Sequence, residues 1–266
     1  MPYQLQKNKI AIGDTEMDYI SFGEGTQPLV LIPGLSFKTV KKFAGPFSFA
    51  YRIFAKDFKV YAFDRKIKIP MGYTVENLAD DLAYAMEKIG ISGAYVMGVS
   101  QGGMAAQYLA IKYPHLVQKL VLAVTLSRMN DTARTVIGNW IRLSMDDNYE
   151  GVIADMLENV YSEEYVRRVG KYFPVVSQFG KPKDLRRFGI LARACLTCNA
   201  YEMLDRIQCP VFVIGGKLDK VLSGEASEEI AEKLGCKIYM YEDLGHSAYE
   251  EAPDFNQRVM EFLKEE

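Results

Sequence analysis

An α/β fold, with a mainly parallel sheet covered by helices on both faces, is what this chain predicts. Three observations carry that prediction. Short apolar runs recur along the sequence, helical stretches separate several of them, and turn-forming residues mark the joins. The runs at 9–12 and 16–22 form a hairpin around Gly13-Asp14. Those at 29–32 and 60–63 are short buried strands. Thr74 opens a helix to about residue 89, with Leu78, Leu82, Ala85 and Met86 on one face. A strand at 94–97 leads into an alanine-rich helix, buried strands follow at 120–124 and 211–214, and a last strand at 237–241. A helix over 254–263 follows the last of these eight strands. Between about 130 and 205 the strand signals stop, and the sequence reads helical with breaks near Asp146-Asp147-Asn148, Gly170 and Gly180-Lys181-Pro182. The expected organisation is a core of residues 1–129 and 206–266 with a helical insertion at 130–205.

Composition narrows the function classes. A chain of 266 residues can bury a large core as one α/β domain. Its 49% hydrophobic and 25% charged fractions are ordinary for a globular protein. A net charge of −2 gives no case for binding nucleic acid or an anionic membrane. The first residues, Met1-Pro2-Tyr3-Gln4-Leu5, lack the apolar core of a secretion signal, and no run approaches the ~18 apolar residues that span a bilayer. A cytoplasmic enzyme is the expectation. The Cys195-Leu196-Thr197-Cys198 spacing could suit redox or zinc chemistry. It has no second pair and no histidine nearby in sequence, so two small buried residues on one helix face explain it better.

The most informative stretch is Gly98-Val99-Ser100-Gln101-Gly102, set between an apolar run and a helix-forming stretch. Strand, tight turn and helix are the context in which a G-x-S-x-G serine is presented as a nucleophile. The helix after it directs its positive end at the serine, where an oxyanion would form. A serine hydroxyl needs a base, and the chain has only two histidines. His115 follows Tyr113-Pro114 in what reads as an exposed connection. His246 follows the apolar run at 236–241, on a loop opened by Gly245, where it can face a site at the carboxyl edge of a sheet. Asp219 lies just past the strand at 211–214 and Gly215-Gly216, and is the acid that would orient the imidazole. An ordinary loop aspartate would serve as a turn former.

The order Ser100, Asp219, His246 is that of the α/β-hydrolases, and the chain resembles that family along nearly its whole length. The matching pieces are Pro28-Leu29-Val30-Leu31-Ile32-Pro33-Gly34-Leu35, Val60-Tyr61-Ala62-Phe63-Asp64-Arg65, Gly98 to Gly103, Cys209-Pro210-Val211-Phe212 with Asp219, and Gly245-His246-Ser247. The Gly-Val-Ser-Gln-Gly-Gly-Met stretch is most similar to the esterase and enol-lactonase-like branch. The resemblance implies an eight-stranded α/β-hydrolase sheet, a helical cap at 130–205, catalysis by Ser100, Asp219 and His246, and an oxyanion hole made of the backbone N–H groups of Leu35 and Gln101. No cofactor or metal is required. Serine at 100 disfavours the dehalogenase and epoxide-hydrolase branches, which use an aspartate there. Two departures stand out. The loop after the third strand begins Pro33-Gly34 where the family usually has His-Gly, and Lys66-Ile67-Lys68-Ile69-Pro70-Met71-Gly72 replaces a glycine-rich turn.

The expected partner is a small ester-type molecule, with nucleic acid and membrane excluded and the protein a monomer or homodimer. Phe37, Met104, Met129 and Trp140 stand where relatives line the acyl or alcohol pocket, and each is equally consistent with core packing. The insertion carries only acidic charges from 146 to 164 and nearly all basic ones from 167 to 193. Two mutually attracting faces account for this. The alternative is that the basic half, with Lys66 and Lys68, steers an anionic substrate. Carboxylic-ester or lactone hydrolysis is the first expectation. Thioesterase, C–C bond hydrolase and haloperoxidase-like activity remain alternatives, as does a non-catalytic receptor on the same fold.

Overall fold

A computed structural model describes residues 3–170 and 181–265. Its centre is an eight-stranded sheet in the order β1-β2-β4-β3-β5-β6-β7-β8. The strands are β1 (Gln6–Ile12), β2 (Thr15–Phe22), β3 (Gln27–Ile32), β4 (Phe58–Phe63), β5 (Ala94–Val99), β6 (Val117–Ala123), β7 (Val211–Gly216) and β8 (Lys237–Tyr241). β2 pairs antiparallel with both β1 and β4, and every other pairing is parallel. The hairpin turns on Gly13, whose φ of +57° is one that glycine adopts without strain.

The sheet's two faces bury two separate cores, divided by the two-residue period of a strand. In β3, Val30 and Ile32 face one core while Leu29 and Leu31 face the other. In β6, Leu120 and Leu122 are divided from Val121 and Ala123 in the same way. The first face is covered by α2 (Val75–Lys88), α3 (Gln101–Lys112) and α8 (Gly224–Leu234); the second by α1 (Ala44–Ala50), α9 (Ala248–Glu251) and α10 (Phe255–Lys264). Thr74 caps α2 reciprocally with Asn77, at 3.0 and 3.2 Å, satisfying two otherwise orphaned N–H groups.

Between β6 and β7 come α4 (Asp131–Met145), α5 (Tyr149–Val160), α6 (Glu163–Val169) and α7 (Arg186–Cys195). The breaks expected near 146–148 and at Gly170 fall between these helices; Gly180 lies outside the described residues. Asn130, Asn148 and Ser162 each accept a backbone N–H three residues on, which starts α4, α5 and α6. Ile137, Trp140, Phe188 and Leu191 from this segment join the same core as α2 and α3. None of the described helices is long and apolar enough to cross a membrane.

The helical stretch expected to carry both Cys195 and Cys198 is interrupted. α7 ends at Cys195, and a 3-10 turn resumes only at Tyr201. The two thiols are buried on either side of that break and do not share a helix face. Burial pushes the Cys195 thiol up to about 11, which leaves it protonated and inert near neutrality.

Candidate active site

Ser100 sits between β5 and α3 with φ +53° and ψ −119°, a strained conformation for a residue with a side chain. Three glycines allow that turn. A Cβ on Gly98 would lie 2.5 Å from the Gly102 carbonyl oxygen, one on Gly102 2.0 Å from the Ile32 oxygen, and one on Gly103 2.7 Å from the Thr125 side chain. The G-x-S-x-G-G sequence is therefore a steric requirement of packing the start of α3 against β3 and β6. Thr125 adds a hydrogen bond from its hydroxyl to the Ser100 carbonyl at 2.8 Å.

Asp219 and His246 come from loops at the carboxyl ends of β7 and β8, the edge at which Ser100 leaves β5. The Ser100 hydroxyl lies 2.9 Å from His246 Nε2, and His246 Nδ1 lies 2.8 Å from Asp219 Oδ2. Asp219 Oδ1 accepts the N–H groups of Val221 and Leu222 at 2.8 and 2.9 Å, so one carboxylate oxygen is held by backbone and the other is aimed at the ring. A carboxylate only accepts, so a neutral imidazole facing it carries its proton on Nδ1 and leaves Nε2 to accept from serine. His246 is 5% exposed and Asp219 8%, which keeps the pair out of bulk water. His115 is exposed and faces Glu87 at 3.2 Å.

The loop after β3 crosses directly over the serine. A Cβ on Gly34 would be 3.3 Å from Ser100 Cβ, an approach that glycine makes without displacement. Leu35 follows on this half-buried loop, and Gln101 is the first residue of α3, where N–H groups lack intrahelical partners. The Gln101 side chain is fully buried. Its Oε1 accepts from Arg65 Nε at 3.2 Å and Nη2 at 2.9 Å; its Nε2 donates to the Leu191 carbonyl at 2.6 Å and to Cys195 Sγ at 3.1 Å. Arg65 Nη2 also donates to the Pro33 carbonyl at 2.6 Å.

A small cavity of about 60 Å³ lies beside this loop, walled by Gly34, Phe37, Asp64, Arg65, Arg187 and Phe188. Neither Ser100 nor His246 lines it. Burial pushes the Asp64 carboxyl above the usual range, against the pull of the neighbouring Arg65. Phe37 stacks on Phe188 with ring centroids 4.2 Å apart. The other residues expected to line a pocket are placed differently. Met104 is fully buried in the first of the two cores and does not line this cavity. Trp140 is buried in the same core and donates its indole N–H to Asp155 at 2.6 Å. Met129 is partly buried against that core. An apolar residue beside a functional motif obeys the same periodicity whether it packs or binds, which is why sequence left both readings open.

Four of the cations considered for steering are engaged within the protein. Lys66 pairs with Asp81 at 3.1 Å, Lys68 with Asp14 at 3.6 Å and Lys181 with Glu150 at 2.7 Å. Arg187 donates to the carbonyls of Arg65, Lys66 and Ile67 at 3.1, 2.7 and 2.9 Å. Lys171 lies outside the described residues. In the sequence, Arg65 stands out only as part of the strand end Val60–Arg65 that resembles the family. Its bonds span 32 and 36 positions of chain, a distance over which no local pattern signals a partner.

The family model of the alpha/beta hydrolase fold matches residues 27–253. The protein named "Putative carbamate hydrolase RutD" of Caulobacter sp. strain K31 is 26% identical over 73% of this chain and 74% of its own length. Among solved structures, MGS-M2, an alpha/beta hydrolase enzyme from a Medee basin deep-sea metagenome library, superposes with a TM-score of 0.88 at 18% identity, covering 97% of this chain and 98% of its own. The enol-lactonase from Burkholderia xenovorans LB400 does so with a TM-score of 0.83 at 20% identity, covering 97% of this chain and 100% of its own. The strand order, the strained serine turn and the extent of the family match together say that this chain belongs to the alpha/beta hydrolase fold family.

Proposed function

We propose that this α/β-fold hydrolase cleaves a small carboxylic ester or lactone through an acyl-enzyme on Ser100. The observation that carries the reading is the pair of contacts at 2.9 and 2.8 Å linking Ser100, His246 and Asp219 from three separate loops. Serine attacks the carbonyl carbon as His246 Nε2 takes its proton, and Asp219 holds the ring's tautomer and stabilises the imidazolium. The N–H groups of Leu35 and Gln101 receive the tetrahedral oxyanion, and each such donor is worth ~3–4 kcal/mol in comparable sites. His246 returns the proton to the leaving alcohol, and water then releases the acid by the same route. The relatives' names, an enol-lactonase and a carbamate hydrolase, support a substrate with an acyl carbonyl activated by a heteroatom leaving group.

Residues 130–205 act in this reading as a cap over the core of 1–129 and 206–266. Support comes from α7, whose Leu191 carbonyl bonds the residue after the nucleophile, and from Val160 at the end of α5, whose carbonyl accepts the Ser247 N–H at 3.0 Å beside His246. Phe37 and Phe188 supply apolar wall near the site, and the cavity they border is small, which favours a small acyl or alcohol group. A series of p-nitrophenyl esters of increasing acyl length tests this. Turnover that is highest for short acyl chains and absent in Ser100→Ala is expected. Labelling of Ser100 by a fluorophosphonate with no turnover of any ester, lactone or thioester would favour a receptor instead.

A further inference from the structure

We infer that Arg65 is a positioning residue for the oxyanion site, holding the Pro33–Leu35 loop and the start of α3 in fixed register through one buried guanidinium. The inference rests on the acyl-transfer reading above. Both donors assigned to the oxyanion belong to segments with no covalent link near the site: Leu35 follows β3, and Gln101 opens α3 after β5. The pairing of β3 with β5 sets their roots as far as Ile32 and Gly98, and beyond it a side chain that touches both can hold their separation. Arg65 does so. Its Nη2 bonds the Pro33 carbonyl at 2.6 Å, and its Nε and Nη2 together grip Gln101 Oε1 at 3.2 and 2.9 Å.

The residue types fit this task. Pro33 has no N–H, so its carbonyl is the polar handle it offers at the root of the loop. That carbonyl also lies flush against α3, since a Cβ on Gly102 would sit 2.7 Å from it. Gln101 turns both ends of its amide to use, with the carbonyl toward Arg65 and the amide nitrogen toward Leu191 and Cys195 on α7. A planar fork suits this arrangement and an ammonium point charge does not. Arg65 is itself held from outside. Its N–H donates to Asp64 Oδ1 at 2.7 Å, and its carbonyl accepts from Arg187 on α7 at 3.1 Å. With Arg65 only 5% exposed and Gln101 fully buried, the bonds between these two side chains are shielded from water.

Arg65→Lys and Gln101→Met test it; the second removes the acceptor and keeps the Gln101 backbone N–H. Enzyme is quantified by end-point fluorophosphonate titration of Ser100, so misfolded protein does not count. We expect kcat per titrated serine to fall about 10- to 100-fold with KM little changed. Inhibition by a trifluoromethyl ketone, which forms a tetrahedral adduct on serine, should weaken by the same factor. The double variant should lose no more than the worse single one, as expected of two ends of one linkage. Unchanged kcat per titrated serine and unchanged ketone affinity, with only the melting temperature lowered, would reduce Arg65 to a structural cation and overturn the inference. If Arg65→Lys yields no titratable serine, Gln101→Met decides by the same two readouts. A wild-type protein that forms no adduct on Ser100 overturns the acyl-transfer reading and this inference with it.

Discussion

The sheet core and the helical segment between β6 and β7 use their polar side chains in opposite ways. In the core, Ser100, Asp219 and His246 stand on loops at one edge of a sheet buried on both faces. Backbone fixes two of them, since three glycines clear the serine turn and two N–H groups hold the aspartate, and the aspartate in turn orients His246. In the segment between β6 and β7, side chains mostly satisfy one another. Asp155 accepts from Asn139 at 2.5 Å and from Trp140 at 2.6 Å, and Glu150 pairs with Lys181 at 2.7 Å. Arg187 instead reaches down to carbonyls of the core. The difference teaches that the proposed chemistry stands where the backbone is over-determined, while the polar groups of the helical segment mostly hold that segment together.

Substitutions sharpen the contrast. The largest effect is expected at Ser100→Ala, which should lower kcat by roughly 10⁴- to 10⁶-fold while far-ultraviolet circular dichroism and melting temperature stay near those of the wild type. Next is Gly102→Ala. Its new Cβ would meet the Ile32 oxygen at 2.0 Å, so the protein should lose on the order of 3 kcal/mol in urea denaturation, and activity with it. An alanine accepted there at no cost would mean that the elbow is less tightly specified than the glycine contacts indicate.

Asp155→Ala probes the other region. It strands the Trp140 indole N–H and the Asn139 amide, and should cost ~1–3 kcal/mol of stability with kcat per folded enzyme largely kept. A collapse of kcat without loss of stability would place Asp155 in the chemistry and erase the distinction between the regions. The smallest effect concerns salt. Because Lys66, Lys68 and Lys181 are paired and Arg187 is spent on carbonyls, kcat/KM for a carboxylate-bearing ester and for a neutral one should respond to ionic strength alike. A fall confined to the anionic ester would restore the steering role.

The parts of this molecule that were legible in sequence are those governed by local rules. Apolar runs located the strands to within a few residues, because the central parallel strands β3, β5, β6 and β7 are largely buried on both faces. The G-x-S-x-G-G stretch was readable because each glycine answers a clash, and two histidines left little choice of base. What was not legible depended on distant partners. Arg65 acts across more than thirty positions. Met104 and Trp140 read equally well as pocket or core, and the structure places both among buried residues. The helix expected to continue past Cys195 breaks there, where Thr197 Oγ1 turns back to the Ala194 carbonyl at 2.7 Å and accepts the Val75 N–H at 3.2 Å; a contact with α2 of that kind has no trace in helix propensity.

The central claim is that the 100-position hydroxyl forms a covalent acyl intermediate. Rapid quenching of the wild-type enzyme during p-nitrophenyl acetate turnover, followed by peptide mass spectrometry, tests it most directly. An acetyl group on Ser100, accompanied by a burst of p-nitrophenolate equal to the enzyme present and slowed in His246→Ala, is the predicted result. Hydrolysis that proceeds with no burst and no modified Ser100, or that persists in Ser100→Ala, would contradict the account.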